Sequence, residues 1–204
     1  MAQKKNKVKF GLNKVHYAKI TGWSADDVPT FAPPVRIPGA VSLSMDVNGE
    51  NENFFADNSV YYVINNNAGY TGDLEIALIP ESFRTGILNE TSDSNNVLVE
   101  NSNSQVGHFA LLFEFDGDQK KIRHVLYNCS ASRPSIASKT NEASKEVQTE
   151  KLTIKARPLA NGLVKAKSGD TTKATAYNNW YKAVYQPDAV GGYDDETTDE
   201  TTGA

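Results

Sequence analysis

Apolar and polar residues alternate with a period of two along much of the chain, which is the pattern of β-strands with one buried face. The alternation is clear at residues 8–12, 41–47, 73–78 and 152–157. Segments rich in Gly, Asn, Asp, Ser and Pro separate these runs and favour turns. The pattern therefore predicts a mainly β protein with many connecting loops.

In the third of these segments, the period of two places Leu74, Ile76 and Leu78 on one face of a strand. The acidic residues Asp73 and Glu75 then lie on the opposite face. We expect the apolar face to pack against the protein core and the acidic face to contact solvent or another molecule.

A β-hairpin is predicted at residues 108–129. The first strand, residues 108–115, alternates and places four large apolar side chains on one face, namely Phe109, Leu111, Phe113 and Phe115. Asp-Gly-Asp at residues 116–118 supplies turn chemistry, and residues 121–129 return as the second strand.

Helical signals are few. Residues 80–88 have Pro at the first helical position and apolar residues on one side, although Gly86 weakens a helix by about 1 kcal/mol relative to Ala. Residues 175–185 place Trp180 among apolar residues at helical spacing, and Pro187 ends the segment. The sequence thus predicts an antiparallel β-sandwich or barrel with one or two short flanking helices.

Three regions are predicted along the chain. Residues 1–20 form a basic N-terminal arm with the first strand, residues 21–187 form the β-sandwich domain, and residues 188–204 form an acidic tail. The tail is rich in Gly, Thr and acidic residues and has little to bury, so we expect it to be disordered or to become ordered only on a partner. Residues 48–53 are polar and predict a projecting loop.

The charges are strongly segregated, although the net charge of the 204 residues is only -4. Residues 1–21 carry six Lys and no acid, and residues 22–118 carry 15 acids against two bases. Residues 119–187 carry 13 bases and four acids, and residues 188–204 carry six acids and no base. Such blocks either attract neighbouring copies of the chain or neutralise one another within each monomer.

Targeting signals and catalytic motifs are both missing from the sequence. The N-terminus lacks the apolar stretch of a signal peptide and Cys129 is the one cysteine, which indicates a reducing cytoplasm. The histidines His16, His108 and His124 follow no metal-binding spacing. Residues 46–52 match a calcium loop poorly. We therefore expect no catalytic residues, no metal site, no cofactor and no membrane segment.

Ordered segments spread over about residues 7–187 resemble the major tail protein family of siphoviruses that infect Gram-positive bacteria. These segments are VKFGLNKVHYAKI (8–20), IPGAVSLS (37–44), FFADN (54–58), GYTGDLE (69–75), IP (79–80), FALLFE (109–114), RHVLYNC (123–129), WY (180–181) and VYQP (184–187).

The resemblance implies a structural virion protein with no catalytic residues. Six copies would form a ring, and stacked rings would form a hollow tail tube around a tape measure protein. Tail terminator and distal tail proteins would be further partners, and double-stranded DNA would pass through without specific binding. The subunit would be assembled in the host cytoplasm and reside in the virion tail.

Two sets of candidate contact residues follow from this interpretation. Asp73 and Glu75 are candidates for the lumen, where acidic side chains would repel DNA phosphates, or else they are solubilising acids on the outer face. Candidates for contacts between rings lie in the basic arm and in the longer segment 46–58 around the predicted loop, namely Lys4, Lys5, Lys7, Lys9, Asn48, Gly49, Glu50, Phe54 and Phe55.

Other interpretations belong to different classes of protein. A phage receptor-binding or baseplate β-sandwich module would recognise carbohydrate and would not polymerise. A tube protein of a contractile or secretion system would share the fold and would need a sheath partner. An enzyme is the third alternative, and the sequence offers it no active-site motif.

Overall fold

A computed structural model of the chain describes residues 5–50, 52–64, 66–140 and 147–188. The fold is mainly antiparallel β-sheet with two short helices, which confirms the predicted fold class. The elements in chain order are Lys9–Trp23 (β1), Pro29–Phe31 (β2), Val35–Arg36 (β3), Ala40–Asn48 (β4), Glu52–Ala56 (β5), Ser59–Ile64 (β6), Gly69–Ile76 (β7), Glu81–Gly86 (α1), Thr91–Ser92 (β8), Leu98–Val99 (β9), Phe109–Gly117 (β10), Ile122–Ala131 (β11), Glu150–Arg157 (β12), Lys165–Lys167 (β13) and Ala174–Asn179 (α2).

The main sheet has the strand order β2-β1-β10-β11-β12-β7-β4, and every neighbouring pair is antiparallel. Two short strands add to it, because β3 pairs with β1 and β13 pairs with β11. Strand β4 approaches β1 without pairing to it, so the sheet curls towards a barrel. The hairpins β5–β6 and β8–β9 form two separate small sheets.

The inner face of the curled sheet encloses the larger hydrophobic core. Leu74 and Ile76 of β7 are fully buried there, as predicted, and Phe83 and Ile87 at helix α1 fill the same space. Leu78 contradicts the prediction. It is 69 % exposed because β7 ends at Ile76 and the chain turns away from the core.

A second core covers the opposite face of β1, β10 and β11. Ala110, Leu112 and Tyr127 point to this side and are buried beneath Trp180 from the C-terminal segment. Strand β10 is therefore buried on both faces, which explains why its residues 109–113 are all apolar. The predicted face with Phe109, Leu111 and Phe113 is confirmed as the inner one.

The two predicted helices have different outcomes. The helix predicted at residues 80–88 is confirmed in position as α1, which covers Glu81–Gly86 and ends two residues before the predicted end. The helix predicted at residues 175–185 is wrong in its extent, because α2 covers only Ala174–Asn179. The chain then turns so that the rings of Trp180 and Tyr185 stack with centroids 5.4 Å apart. Aromatic packing on the sheet thus overrides helical propensity in this segment.

The loop predicted at residues 48–53 is shorter than expected, because Asn48 ends β4 and β5 begins at Glu52 as the first strand of a β-hairpin. Strands β5 and β6 pair in antiparallel register around Asp57 and Asn58, which both have positive φ angles, of 51° and 60°. Two such residues form the tight turn whose twist matches paired strands. The sequence signal was present in the β-branched and aromatic residues 60–63, which lack the alternation of a half-buried strand.

Close approach of β4 to β7 depends on Gly72. A Cβ atom at this position would overlap the carbonyl oxygen of Ser44 on β4, so only glycine permits this pairing. The same strand carries Asp73 and Glu75, and the pairing at Gly72 therefore fixes the register in which those acids face their neighbours.

The buried carboxylate of Glu114 holds the C-terminal segment against the main sheet. Glu114 on β10 is fully buried and contacts Arg123 Nε at 3.2 Å, while the hydroxyl of Tyr181 donates a hydrogen bond of 3.2 Å to its carboxylate. The guanidinium of Arg123 also stacks 3.7 Å from the ring centre of Tyr177 and donates to its carbonyl oxygen. Lys14 and Lys121 complete the charge balance, with their ammonium groups 3.6 Å and 3.3 Å from Glu114.

We predict that the substitution Arg123→Leu lowers the free energy of unfolding by about 3 kcal/mol, because it removes the innermost partner of a buried carboxylate. Urea denaturation followed by tryptophan fluorescence measures this change. Lys173→Leu is the matched control, since Lys173 is an exposed cation at the start of α2, and it should change stability by less than about 0.5 kcal/mol. Equal effects of the two variants would contradict the role of Arg123.

Candidate functional site

The hairpin β5–β6 exposes large apolar side chains on both of its faces. Between 42 % and 73 % of each side chain contacts solvent. We call this surface the aromatic hairpin, and its exposed apolar members are Phe54, Phe55, Val60, Tyr61, Tyr62 and Val63. Contiguous apolar surface of this kind marks an interaction site in soluble proteins.

The aromatic hairpin has little support from its own chain. It forms a two-stranded sheet that does not pair with the main sheet, and the rings of Phe54 and Tyr61 meet edge to face 6.5 Å apart. An isolated two-stranded hairpin is marginally stable in water, so its long apolar side chains gain most from a partner that covers them.

The predicted contact residues of this region fall into two groups. Phe54 and Phe55 lie on the aromatic hairpin and are exposed, as an intermolecular contact requires. Asn48 and Gly49 instead build its base, where Asn48 Nδ2 donates to Thr71 Oγ1 at 2.6 Å and Gly49 has a φ of 127°. Glu50 is exposed beside this base. Their role in contacts between subunits stays a prediction.

The basic arm is held against the main sheet from Asn6 onward. Lys4 lies outside the described residues, and Lys5 is exposed. From Asn6 onward the chain is tied to the turn after β10, because Asn6 Oδ1 accepts hydrogen bonds of 2.9 Å from the backbone of residues 119 and 120. Lys7 donates its backbone N–H to Asp118, and Lys9 begins β1 opposite Gly117. Backbone groups of the turn thus hold the arm in place.

Asp73 and Glu75 face outward from β7 and are engaged by neighbours. Thr153 donates a hydrogen bond of 2.7 Å to Asp73, and Lys151 lies 3.6 Å from the same carboxylate. Hydrogen bonds from Thr149 and then Ser42 lower the pKa of Glu75. Because β12 places lysines beside this acidic strand, the negative charge of the face is partly offset. The lumen assignment of the two acids stays a prediction.

A second feature, which sequence reasoning missed, is a cleft of about 330 Å³ at the open end of the curled sheet. It lies where β4 and β7 face β10, β11 and β13 across the end of the barrel. We call it the lysine cleft. Aromatic rings form its walls, and the side chains that matter for its chemistry are Lys9, Tyr70, Phe115, His124 and Lys165.

His124 lies at the wall of the lysine cleft. Its ring stacks on Phe113 with centroids 5.0 Å apart, and its Nε2 atom is buried with no hydrogen-bond partner among the described residues. Burial is the largest of the effects that lower the pKa of His124 to about 4, and the nearby charges of Lys167, Lys9 and Lys165 contribute in that order. The imidazole is therefore neutral at physiological pH.

The other two histidines and the cysteine make contacts that serve the fold. His108 shares a hydrogen bond of 2.8 Å with the side-chain oxygen of Asn128, and burial lowers the pKa of His16, which lies near Tyr181. Complete burial raises the pKa of Cys129 to about 12, so its thiol is unreactive. Within the described ranges, no three His, Cys, Asp or Glu side chains come together as metal ligands.

Neither helix in the described part of the chain is long and apolar enough to cross a membrane. The predicted acidic tail lies outside the described residues, apart from Asp188.

Comparison with known proteins identifies structural neighbours only. No protein-family model and no curated protein matches this chain. A chain of the anti-feeding prophage cap, which is the tube terminating cap, is similar with a TM-score of 0.45 and 9 % identity, over 83 % of this chain and 98 % of that one. A chain of the six-fold symmetrised anti-feeding prophage baseplate has a TM-score of 0.45 and 10 % identity, over 84 % and 99 %. Similarity at this level carries no inference about function.

The titration of His124 predicts how stability depends on pH. The unfolded imidazole takes up a proton near its ordinary pKa of 6.5, whereas the folded one does so only near 4. Stability is therefore complete above pH 6.5 and falls as the pH drops towards 4. We expect the wild type to lose about 2 kcal/mol more than His124→Phe across this interval, after allowance for solvent screening at the cleft mouth.

Urea denaturation of both proteins at a series of pH values measures this difference. The groups that face the ring are Lys9, Lys165 and Lys167, and they are common to both proteins. Parallel stability curves between pH 7.5 and pH 4 would contradict the assignment of a neutral, buried His124.

Proposed function

We propose that this chain is a structural subunit of a phage-type tail tube, which self-assembles into stacked rings, each of six copies. The observation that carries the proposal is the aromatic hairpin, whose six large apolar side chains are exposed on a marginally stable two-stranded sheet. A second copy of the chain that covers this surface removes it from water, which gains free energy in proportion to the apolar area buried.

The edges of the main sheet favour repeated association as well. Strand β4 is a nine-residue edge strand, and β2 forms the other edge of the sheet. Val41 and Val47 on β4 are exposed. Long edges with apolar side chains promote pairing with other chains, and a closed ring of identical subunits satisfies both edges of every copy. In this arrangement the edges join subunits within a ring and the aromatic hairpin joins successive rings.

The remaining parts of the proposal follow from the resemblance to siphovirus major tail proteins. The tube surrounds a tape measure protein, ends on tail terminator and distal tail proteins, and conducts double-stranded DNA without specific binding. Asp73 and Glu75 line the lumen in this proposal. The subunit acts in the virion tail after assembly in the host cytoplasm.

A second candidate function is a receptor-binding or baseplate module that recognises carbohydrate. The exposed tyrosines Tyr61 and Tyr62 favour it, because a planar ring with a hydroxyl group packs against a sugar and also forms hydrogen bonds. A tube protein of a contractile or secretion system uses the same surfaces as the first proposal and additionally binds a sheath. Polymerisation of the purified chain separates the receptor-binding module from both kinds of tube.

We predict that the purified full-length protein forms hollow tubes or six-fold rings as its concentration rises, whereas the double variant Phe54→Ser, Tyr61→Ser stays monomeric at ten times that concentration. The two substituted rings are exposed, so the unfolding free energy should change by less than about 1 kcal/mol. Negative-stain electron microscopy and light scattering across a concentration series measure assembly.

The matched control is the double variant Ile136→Ser, Val147→Ser, which removes two exposed apolar side chains outside the hairpin and should assemble like the wild type. Equal assembly by the hairpin variant would contradict the role of the aromatic hairpin. Wild-type protein that remains monomeric even when seeded with tail tips would contradict the proposed function.

A further inference from the structure

The lysine cleft holds two positive charges without a matching acid. Lys165 Nζ lies 4.4 Å from the ring centre of Tyr70 and donates a hydrogen bond to its hydroxyl, and Lys9 Nζ lies 5.1 Å from the ring centre of Phe115. No Asp or Glu among the described residues lines the cleft. Neither lysine forms an ion pair with a carboxylate in the described part of the chain. The cleft therefore attracts a ligand that carries carboxylate groups.

The acids on the neighbouring part of β10 are already paired. Lys14 and Lys121 both contact the buried Glu114, at 3.6 Å and 3.3 Å, and Lys121 also lies 3.1 Å from Asp116. These acids belong to the same strand as Phe115 of the cleft wall. The ammonium groups of the cleft thus lack a partner because the nearby carboxylates bind other lysines.

The turn that joins β1 to β2 has the opposite charge. We call residues 23–28 the acidic turn. The side chain of Trp23 is 47 % exposed, and Asp26 and Asp27 are exposed beside it. Neither aspartate forms an ion pair in the described part of the chain. The acidic turn presents two carboxylates and an aromatic ring, which match the two ammonium groups and the aromatic walls of the lysine cleft.

Two other exposed acids are less available for such a contact. The carboxylate of Glu75 accepts hydrogen bonds of 2.6 Å from Thr149 and 3.0 Å from Ser42. The carboxylate of Asp93 accepts two hydrogen bonds of 2.8 Å from the backbone of its own turn. These hydrogen bonds compete with a new partner, so the acidic turn fits the cleft better than either.

Ser24 gives the acidic turn a fixed shape. Its hydroxyl oxygen accepts hydrogen bonds from the backbone N–H groups of Asp26 at 3.3 Å and Val28 at 3.1 Å. Its own N–H donates a hydrogen bond of 2.9 Å to the carbonyl oxygen of Val28. Asp27 has a positive φ of 54°, a conformation that Asp tolerates in tight turns. A turn that is already ordered loses little conformational freedom when it docks.

The acidic turn and the lysine cleft lie at opposite ends of the main sheet. Lys9 and Trp23 are the first and last residues of β1. A strand of this length separates its two ends by roughly 40 Å. The acidic turn therefore cannot reach the cleft of its own chain, and a second copy has to supply it.

We infer that the acidic turn of one copy of this chain docks in the lysine cleft of a second copy. The carboxylates of Asp26 and Asp27 then face the ammonium groups of Lys9 and Lys165, and the ring of Trp23 packs beside the aromatic wall. A cleft of about 330 Å³ has room for a few side chains rather than for a whole strand. Because the contact joins two different surfaces, it repeats head to tail from copy to copy.

This contact deepens the proposed function and rests on it for the stacking of rings. The aromatic hairpin follows Asn48, the last residue of β4, and the preceding Val47 pairs with Tyr70 of the cleft wall. The hairpin and the cleft therefore lie at the same end of the molecule, and both face the acidic turn of the next copy. The hairpin supplies apolar contact area, and the charges of the cleft select the surface that it meets.

Zero-length cross-linking of the wild-type protein tests the contact. A carbodiimide activates a carboxyl group, the amine of a touching lysine displaces the urea by-product, and an amide bond then joins the two side chains. Unlabelled and ¹⁵N-labelled protein are mixed in equal amounts across the concentration series of the assembly test, cross-linked and digested. We expect mass spectrometry to find peptides that join Asp26 or Asp27 to Lys9 or Lys165, with one labelled and one unlabelled partner.

The outcomes of this measurement separate the contact from the proposed function. Tubes or rings that form without these joined peptides would overturn the contact alone. Joined peptides of mixed label in a protein that forms no tubes would support the contact and contradict the proposed function. The absence of both would overturn both. Joined peptides that never mix the two labels would show a contact within one chain and would overturn the head-to-tail assignment.

Charge reversal tests whether the two surfaces recognise each other by charge. The cleft variant Lys9→Glu, Lys165→Glu places like charges across the contact, so the concentration needed for assembly should rise at least about tenfold. Addition of Asp26→Lys, Asp27→Lys to this variant restores opposite charges. The combined variant should therefore assemble within about threefold of the wild-type concentration, which a merely misfolded cleft variant would not do.

The matched control is Lys173→Glu, Lys182→Glu, which changes the net charge by the same amount at two exposed lysines outside the cleft. This control should assemble like the wild type. Assembly of the cleft variant at the wild-type concentration would overturn the proposal. So would a combined variant that has wild-type stability in urea but assembles as poorly as the cleft variant.

Discussion

Burial of β10 on both faces is the constraint on which the rest of this structure depends. Its inner side chains, such as Leu111, pack into the barrel around α1, and its outer side chains, such as Leu112, pack beneath Trp180. The C-terminal segment must therefore cross the outside of the sheet to cover Leu112. The ion pair between Glu114 and Arg123 then fixes where that segment lies, because both rings that contact Arg123 belong to it.

The strands packed by the two cores therefore differ from the aromatic hairpin and the lysine cleft, which lie at the surface. Most large apolar side chains of the central strands β10, β11 and β12 are buried in the two cores. The aromatic hairpin projects from the ends of β4 and β7 and is left out of both cores. The lysine cleft opens because β13 replaces β12 beside the first half of β11 and leaves that end of the barrel incompletely closed.

Much of the fold could be predicted from local patterns. Period-two alternation identified the strands that have one buried face, including β4, β7 and β12, and the Asp-Gly-Asp turn identified the β10–β11 hairpin. Pro80 correctly marked the start of α1. Alternation failed at Leu78 because the end of a strand depends on where its partner ends, which the local sequence does not contain.

The candidate surfaces were harder to predict, because they depend on contacts between distant parts of the chain. Phe54 and Phe55 were predicted as contact residues and are exposed, but the pairing strand β6 was missed because its residues are apolar on both faces and show no alternation. The lysine cleft brings together Lys9, His124 and Lys165, which are far apart in sequence. Segregation of charge along the chain was visible, but its arrangement in space required the register of β1, β11 and β13.

The central claim is that a second copy of the chain covers the aromatic hairpin. Hydrogen–deuterium exchange on monomeric and sedimented wild-type protein tests it most directly, with the exposed hairpin β8–β9 as an internal comparison. The account predicts that amides of β5 and β6 exchange at least ten times more slowly in the sedimented protein, while those of β8 and β9 are unchanged. Equal exchange of β5 and β6 in both states would contradict it.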